Sequence, residues 1–320
     1  MNSFGTLVGV ALVATLFSGV AVAQEYPSRP IEMIVAFSPG GGTDIAARTI
    51  APFIEEYLGG SIQVVNRAGA AGEVGFTALA NAAPDGYTIG FINIPNLLTP
   101  PIERDTNYEA SDIQAIGRIV YDPGAFAVLS EREFQNLDDL VAYAKENPNM
   151  LTYGSTGIGS DAHLSMLEFE RMAGIKLRHV PFSGAADMRA AALGGHIDIG
   201  TMKISEAVDD VEAGTLRLLG QMADERFDMA ADIPTFSEQG YDLSRGSHRG
   251  IGAPAGLPDD ILSRLNEAVA AAVADPEFQA AALEQNLPLA YQDAKAFGGT
   301  ISDLNATMEA MWAEIPWVQQ

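Results

Sequence analysis

No cysteine occurs among the 320 residues. Thiol catalysis, cysteine-bound zinc, disulfides and a lipid-modified N-terminal cysteine are thereby excluded. Histidine is scarce: His163, His179, His196 and His248 are the whole complement, and none stands at a metal-ligand spacing such as H-x-x-x-H. No metal or other cofactor is expected. Basic residues are few, 18 Lys and Arg against 42 Asp and Glu, for a net charge of −24. Such a surface repels nucleic acid and anionic membranes, so neither is an expected partner. Its plain reading is a solvated acidic face. After residue 24 no run of about 18 apolar residues occurs, so nothing there predicts a membrane span.

What is present fits a globular protein with real cores: 48% hydrophobic and 19% charged residues. The length suits two domains at roughly 100–200 residues each. The first residues, MNSFGTLVGVALVATLFSGVAVAQEYP, carry no charged side chain before Glu25. An apolar stretch over 7–17 and the A-x-A signal Ala21-Val22-Ala23 predict a signal peptide ending at Ala23, with the mature chain starting at Gln24. The n-region lacks Lys and Arg. An uncleaved anchor is the alternative, but the span is short and broken by Ser18 and Gly19.

Strand-like and helix-like segments alternate, which predicts parallel α/β structure. Strands are expected over 31–37, 62–65, 87–92, 126–129, 151–153, 177–180 and 197–200. Helices are expected over 43–58, 75–81, 137–146 with Asn136 as N-cap, 161–172 and 185–193. From about Leu257 the chain reads as helical to its end, with Pro276 between helices. Two stretches rich in turn formers, YDPGA (121–125) and GYDLSRGSHRG (240–250), read as paired connections between two lobes, which suits a hinge.

Four loops carry candidate chemistry. FSPGGGTD (37–44) joins a strand to a helix, with Thr43 or Asp44 as the expected N-cap. Free amides at a helix start and the positive end of its dipole form an anion site, and glycines let a ligand reach the backbone. An ordinary βα turn is the alternative; a P-loop is not supported, because Lys is missing. In NRAGAAGEVG (66–75), Arg67 reads as a cleft cation or a surface charge. TYGSTGIGSDAH (152–163) contains a formal G-x-G-x-x-A, yet the next strand ends in RHVPF without the acid a dinucleotide site needs. A nucleophile elbow around Ser155 lacks its first glycine. His163 reads as a packed histidine two turns into its helix. SRGSHRG (244–250) gathers two Arg and one His at the second crossing, which reads either as a place to hold a carboxylate or as a solvated loop. Asp198 reads as a strand or turn residue.

The chain resembles the Bug family, periplasmic receptors of tripartite tricarboxylate transporters. The matches run in order from YPSRPIEMIVAFSPGGGTDIAAR through VVNRAGAAGEVG, AAPDGYTIGF, LTYGSTGIGSDAHLSMLEFERMAGI and VPFSGAADMRAAALGGHIDIG to AGTLRLLG, DIPTFSEQGY and GIGAPAGLP. The resemblance implies a type II periplasmic-binding-protein fold, two α/β lobes joined by a two-crossing hinge. Residues 24–122 and 246–320 would form lobe 1, and 123–245 lobe 2. It implies no enzyme but a monomeric receptor for a small organic acid, di- or tricarboxylates favoured, serving the membrane components of such a transporter. A sensor of the same fold that docks on a signalling protein is the alternative. One carboxylate would be held by Ser38, Gly41, Thr43 and Asp44 with Ser155, Thr156, Gly157 and Ser160. Asp187 is added from VPFSGAADMR. The far end would be read by Asn93, in the loop after the third strand, and by Arg249 at the late crossing. Two positions depart from the family pattern: His248-Arg249 replaces an aromatic pair or Trp-Arg, and Asp161 stands where a small residue is common.

Overall fold

The computed structural model describes residues 26–318, so the expected signal peptide lies outside the described residues. The first half contains β1 (Ile31–Val35), α1 (Gly42–Leu58), β2 (Ile62–Asn66), α2 (Glu73–Ala80), β3 (Thr88–Ile94) and α3 (Thr99–Glu103). Then comes β4 (Ile113–Leu129), 17 residues long. The second half follows with α4 (Leu137–Glu146), β5 (Thr152–Ser155), α5 (Asp161–Ala173), β6 (Arg178–Pro181), α6 (Ala185–Leu193), β7 (Ile199–Lys203), α7 (Ile204–Glu212) and β8 (Leu216–Gln221). The chain returns through β9 (Gly246–Pro254), α8 (Asp259–Ala274), α9 (Pro276–Glu284), β10 (Leu289–Asp293) and α10 (Ala294–Glu314).

The strands run β2-β1-β3-β9-β4-β7-β5-β6, with β10 and β8 also paired to β4. Neighbours within each βαβ unit are parallel, as crossover helices require. Every pairing made by β4 is antiparallel. The first part of β4 pairs with β9 and β10, and its last part pairs with β7 and β8, so one strand belongs to both lobes.

Of the two expected turn-rich connections, the first is strand throughout and the second is strand from Gly246 onward, with 240–245 irregular. Tyr121–Ala125 lies inside β4, and β9 begins at Gly246. Pro123 offers no amide, and it sits where β4 changes partners: it faces Gly246 of β9, and Gly124 faces Lys203 of β7. Gly246 is bare of necessity, since a Cβ there would stand 2.7 Å from the Tyr121 ring and 2.8 Å from the Asp122 carbonyl. A relay of backbone bonds fastens both crossings: Gly124 N–H to Arg245 O (2.9 Å), Arg245 N–H to Met222 O (3.0 Å), and Met222 N–H to Gly124 O (2.7 Å). Three further strand segments were hidden in the sequence: residues 113–125 of β4, all of β8, and β10. Residues 113–125 carry glycines and a proline that mask their strand period. β10, expected as helix, is a half-buried segment that pairs with β4 and packs Leu289 on the first core.

The helix at 137–146 is as expected, and the Asn136 side chain accepts from Asp139 N–H at 2.9 Å. Each lobe has its own core. Ile50 and Ile54 of α1 pack with Phe91, Ile119, Leu265 and Phe278 in the first. Phe126, Phe169 and Phe236 meet edge-to-face in the second, with ring centroids 4.9–5.6 Å apart. A smaller cluster joins Leu164 of α5 to Met308, Met311 and Trp317.

Because Phe126 touches both other rings and is fully buried, Phe126→Ala should cost about 3–5 kcal/mol of unfolding free energy in urea titrations. A loss under about 1 kcal/mol would mean that Phe169 and Phe236 close over the gap.

Candidate functional site

The first wall is the start of α1. Gly41 is its N-cap (φ −85°, ψ 165°), two residues before the expected Thr43, and no side chain caps the helix. The first helical bond runs from Ile45 N–H to Gly41 O (2.9 Å). The amides of Gly42, Thr43 and Asp44 precede it and lack intrahelical acceptors. Gly40 adopts φ +81°, which a side chain would resist. A Cβ on Gly42 would lie 2.6 Å from both Arg249 Nη1 and Glu206 Oε1. The Asp44 side chain turns back into its own loop. It accepts from Gly40 N–H (2.9 Å), Asn66 Nδ2 (2.8 Å) and Arg48 Nε (3.0 Å). Burial works to raise this carboxyl, but Arg48 and the other donors outweigh it and hold it below the usual range.

The facing wall is the loop between β5 and α5. Thr156 lines the cavity. Ser155 is wholly buried, with its hydroxyl 2.6 Å from His179 Nε2 and 3.0 Å from Gly157 O. Gly157 donates back to Ser155 Oγ at 3.2 Å. Ser160 is the N-cap of α5, accepting from His163 N–H at 3.2 Å. Ser155, Gly157 and Ser160 thus shape the loop that presents Thr156. The helix starts at Asp161 as expected, which puts His163 in the first turn of α5 and not two turns in. His163 accepts from Gly159 N–H (3.1 Å) and stacks on His179 at 4.2 Å. Burial pushes His163 down to about 3, with His179 adding to the effect, and burial pushes His179 down to about 4. Both rings are therefore neutral at pH 7. Among the described residues no cluster of three metal-ligating side chains occurs.

The floor is ionic. Asn93 lies within β3, not in the loop after it, and its register partner on β9 is Arg249. Asn93 Nδ2 donates to Thr43 Oγ1 at 3.1 Å, while its Oδ1 has no partner. Arg249 is 2% exposed, with Nη1 3.1 Å from Asp122 Oδ2 and Nη2 2.7 Å from Glu206 Oε1. Both of its terminal nitrogens are engaged within the protein. Burial drives the Asp122 carboxyl up, with Arg249 pulling the other way. Lys203, at the end of β7, forms an ion pair with Asp161 at the start of α5. Burial works to raise Asp161, but Lys203 and Arg245 outweigh it and hold the carboxyl low.

The enclosed cavity is small, about 30 Å³. Of the residues singled out from sequence, Gly41, Thr43, Asp44, Asn93, Thr156 and Arg249 line it. Ser38 and Asp187 hydrogen-bond to each other (3.0 Å) outside that lining. Arg67 is a surface charge, 2.6 Å from Glu32 and 43% exposed. Asp198 is structural, accepting from Thr152 and Arg132. Lys203 and Glu206 were missed. Their signal was positional: Lys203 ends β7 and Glu206 follows it, at the carboxyl end where α/β proteins place ligand sites, but the strand is expected from sequence to end at residue 200.

Residues 46–315 match the family described as tripartite tricarboxylate transporter family receptor. A UPF0065 protein of Bordetella pertussis is 32% identical over 284 residues, covering 87% of each chain. Among solved structures, the periplasmic binding protein BugD has a TM-score of 0.86 at 26% identity, covering 92% of this chain and all of that one. An R. palustris protein with adipate has a TM-score of 0.84 at 27% identity, covering 90% of this chain and 97% of that one.

Two outcomes follow from the buried charges. Arg249→Ala leaves Asp122 and Glu206 without their cation, so unfolding free energy should drop by about 3–5 kcal/mol in urea; an unchanged midpoint would show that the triad carries no net stabilisation. The second concerns pH. His163, His179 and His248 have folded values of about 3, 4 and 4, against 6.5 in the unfolded chain. Below about pH 6.5 the unfolded chain binds protons that the folded chain refuses, so stability falls with acidification, by up to about 1.4 kcal/mol per pH unit for each ring. Urea midpoints measured from pH 7 to pH 5 should decline steadily. A flat profile would mean that the imidazoles are not held neutral.

Proposed function

This chain belongs to the tripartite tricarboxylate transporter family of receptors, and from that membership we propose that it captures a small organic acid between two lobes and delivers it to a tripartite tricarboxylate-type membrane transporter. It is a solute-binding protein of the periplasmic type and not an enzyme. We place the mature chain in the periplasm, beginning at Gln24. No helix among the described residues is long and apolar enough to cross a membrane.

The observation that carries the carboxylate reading is the uncapped start of α1. Its free amides border the cavity opposite Thr156. Backbone amides, the helix dipole and the Thr43 and Thr156 hydroxyls suit a carboxylate that must lose its water. The likeness to a protein with adipate supports the same ligand class. The net charge of −24 is no obstacle at this range, since exposed charges are screened beyond about 8–10 Å at physiological salt.

The proposed lobes are 24–122 with 246–320, and 123–245. Between them runs a set of polar contacts: Arg249 to Glu206, Ser38 to Asp187, and Asn286 to Asp209 (2.9 Å). Opening would break these three and leave the β4 and β9 crossings as hinge. Ligand would then bind with the lobes apart and be enclosed as they meet.

Thermal-shift measurements with citrate, succinate, adipate, glutamate and aromatic acids should show a higher melting temperature for at least one. At a hundred times its Kd, such a ligand adds about 2.7 kcal/mol. Gly42→Ala, whose methyl would crowd the Arg249–Glu206 pair, should weaken that ligand about tenfold or more. Failure of every acid, with success of a sugar or nucleotide, would overturn the carboxylate reading.

A further inference from the structure

Among the described residues no cation around the cavity is free of a protein carboxylate, and the one donor left open on Arg249 is its Nε. Three cations serve it, Arg48, Lys203 and Arg249, and each is engaged by carboxylates of the protein. Those carboxylates number four: Asp44, Asp122, Asp161 and Glu206. Arg249 is shared between two of them, so one negative charge is uncompensated. Glu206 stands at the helix terminus itself, its Oε1 2.6 Å from the place of a Gly42 Cβ. A ligand carboxylate seated on the α1 amides therefore meets a neighbouring carboxylate. Like charges this close are costly in a buried site.

Three polar atoms of cavity-lining residues lack a hydrogen-bond partner, Asn93 Oδ1, Thr201 Oγ1 and Arg249 Nε; the last is a donor that suits the seated carboxylate, and the first two point to what completes the site. Asn93 and Thr201 are 6% and 3% exposed. An amide oxygen can only accept. A carboxylate has no proton to offer it, whereas an ammonium has three.

The adjoining spaces have the same sign. Beside Gly41 and Gly42 opens a cavity of about 280 Å³ that Glu206, Asp209 and Glu284 border. The one cation in its lining, Arg189, is held by Asp210 through two bonds of 2.5 and 2.7 Å. On the far side, beyond Asp161, lies a cavity of about 340 Å³ whose Arg245 is bonded to Glu168 at 2.5 Å.

We infer that the ligand is an amino-bearing carboxylate: its carboxylate sits on the α1 amides, and its ammonium lies against Glu206, with Asn93 Oδ1 as an acceptor. This rests on the carboxylate reading above and specifies the ligand's second group. The ammonium supplies the missing positive charge and the missing donors together. Glu206 is the specificity-determining residue, because it both repels a bare diacid and binds the amine. Burial raises the Asp122 carboxyl, and Glu206 adds to that against the pull of Arg249.

Matched acids separate the alternatives. Calorimetry at fixed salt would compare glutarate, glutamate and 4-aminobutyrate, then adipate, 2-aminoadipate and 6-aminohexanoate. In at least one series an amino-bearing member should bind ten times tighter than the diacid of equal chain length. Glu206→Gln, with folding checked by circular dichroism, should shrink that ratio about tenfold. Diacids binding as tightly as or tighter than every amino-bearing partner in the wild-type protein would overturn this inference alone. If neither class binds, the carboxylate reading falls and this inference with it. The wild-type comparison stands even where the variant does not fold.

Discussion

The guanidinium of Arg249, set between Asp122 and Glu206, is the contact on which the rest of the cleft is organised. It ties three elements at one point: β9, on which Arg249 lies, the long strand β4, and the first turn of α7. A buried ion pair recovers its desolvation cost only where geometry is fixed. Here the fixing comes from β-sheet register. Arg249 is held opposite Asn93 on one side and Val120 on the other. Asp122 sits at the point where β4 passes from one lobe to the other, and Ser205 of α7 donates to it at 2.5 Å. The same charges that define the floor of the cavity therefore also lie at the hinge.

The glycine-rich turn before α1 follows from that arrangement. With Gly42 pressed against the Arg249–Glu206 pair, no side chain fits there, and the N-cap before it, Gly41, has no side chain to cap the helix. Free amides and a buried ion pair become neighbours. The loop after β5 faces them, and its serines are occupied by the fold. Ser155 is fastened to His179, and Ser160 caps α5. Rigid backbone on one wall and a self-bonded loop on the other leave few polar groups free, and those few face the cavity.

Much of the architecture was legible in the chain. Apolar runs alternating with amphipathic stretches marked the βαβ units of both lobes, and Asn136 and Gly174 marked helix ends where the structure has them. The order of motifs pointed to the family. The parts that were not legible share one cause. Residues 113–125 read as broken because Gly and Pro interrupt their period, yet pairing with β9 and β10 extends them into one strand. β10 is half-buried, with no fully buried residue to mark it as a strand. In the site, Lys203 and Glu206 escaped notice because lone charged residues at a strand end look like solvated ones. Only the partner Asp161, 42 residues earlier, and Arg249, 43 residues later, make them part of a cleft.

Composition, motif order and local periodicity by themselves determined the class of fold, the family and the two loops that face each other. These are properties of short stretches, written in spacing and residue type. Tertiary structure alone decided which charges meet. Ion pairing is set by distance in space, and the distances here are products of strand register and of one strand shared between two lobes. It made Ser155 and Ser160 parts of the scaffold, placed both ends of Arg249 on the protein's own carboxylates, and set Glu206 beside the helix start.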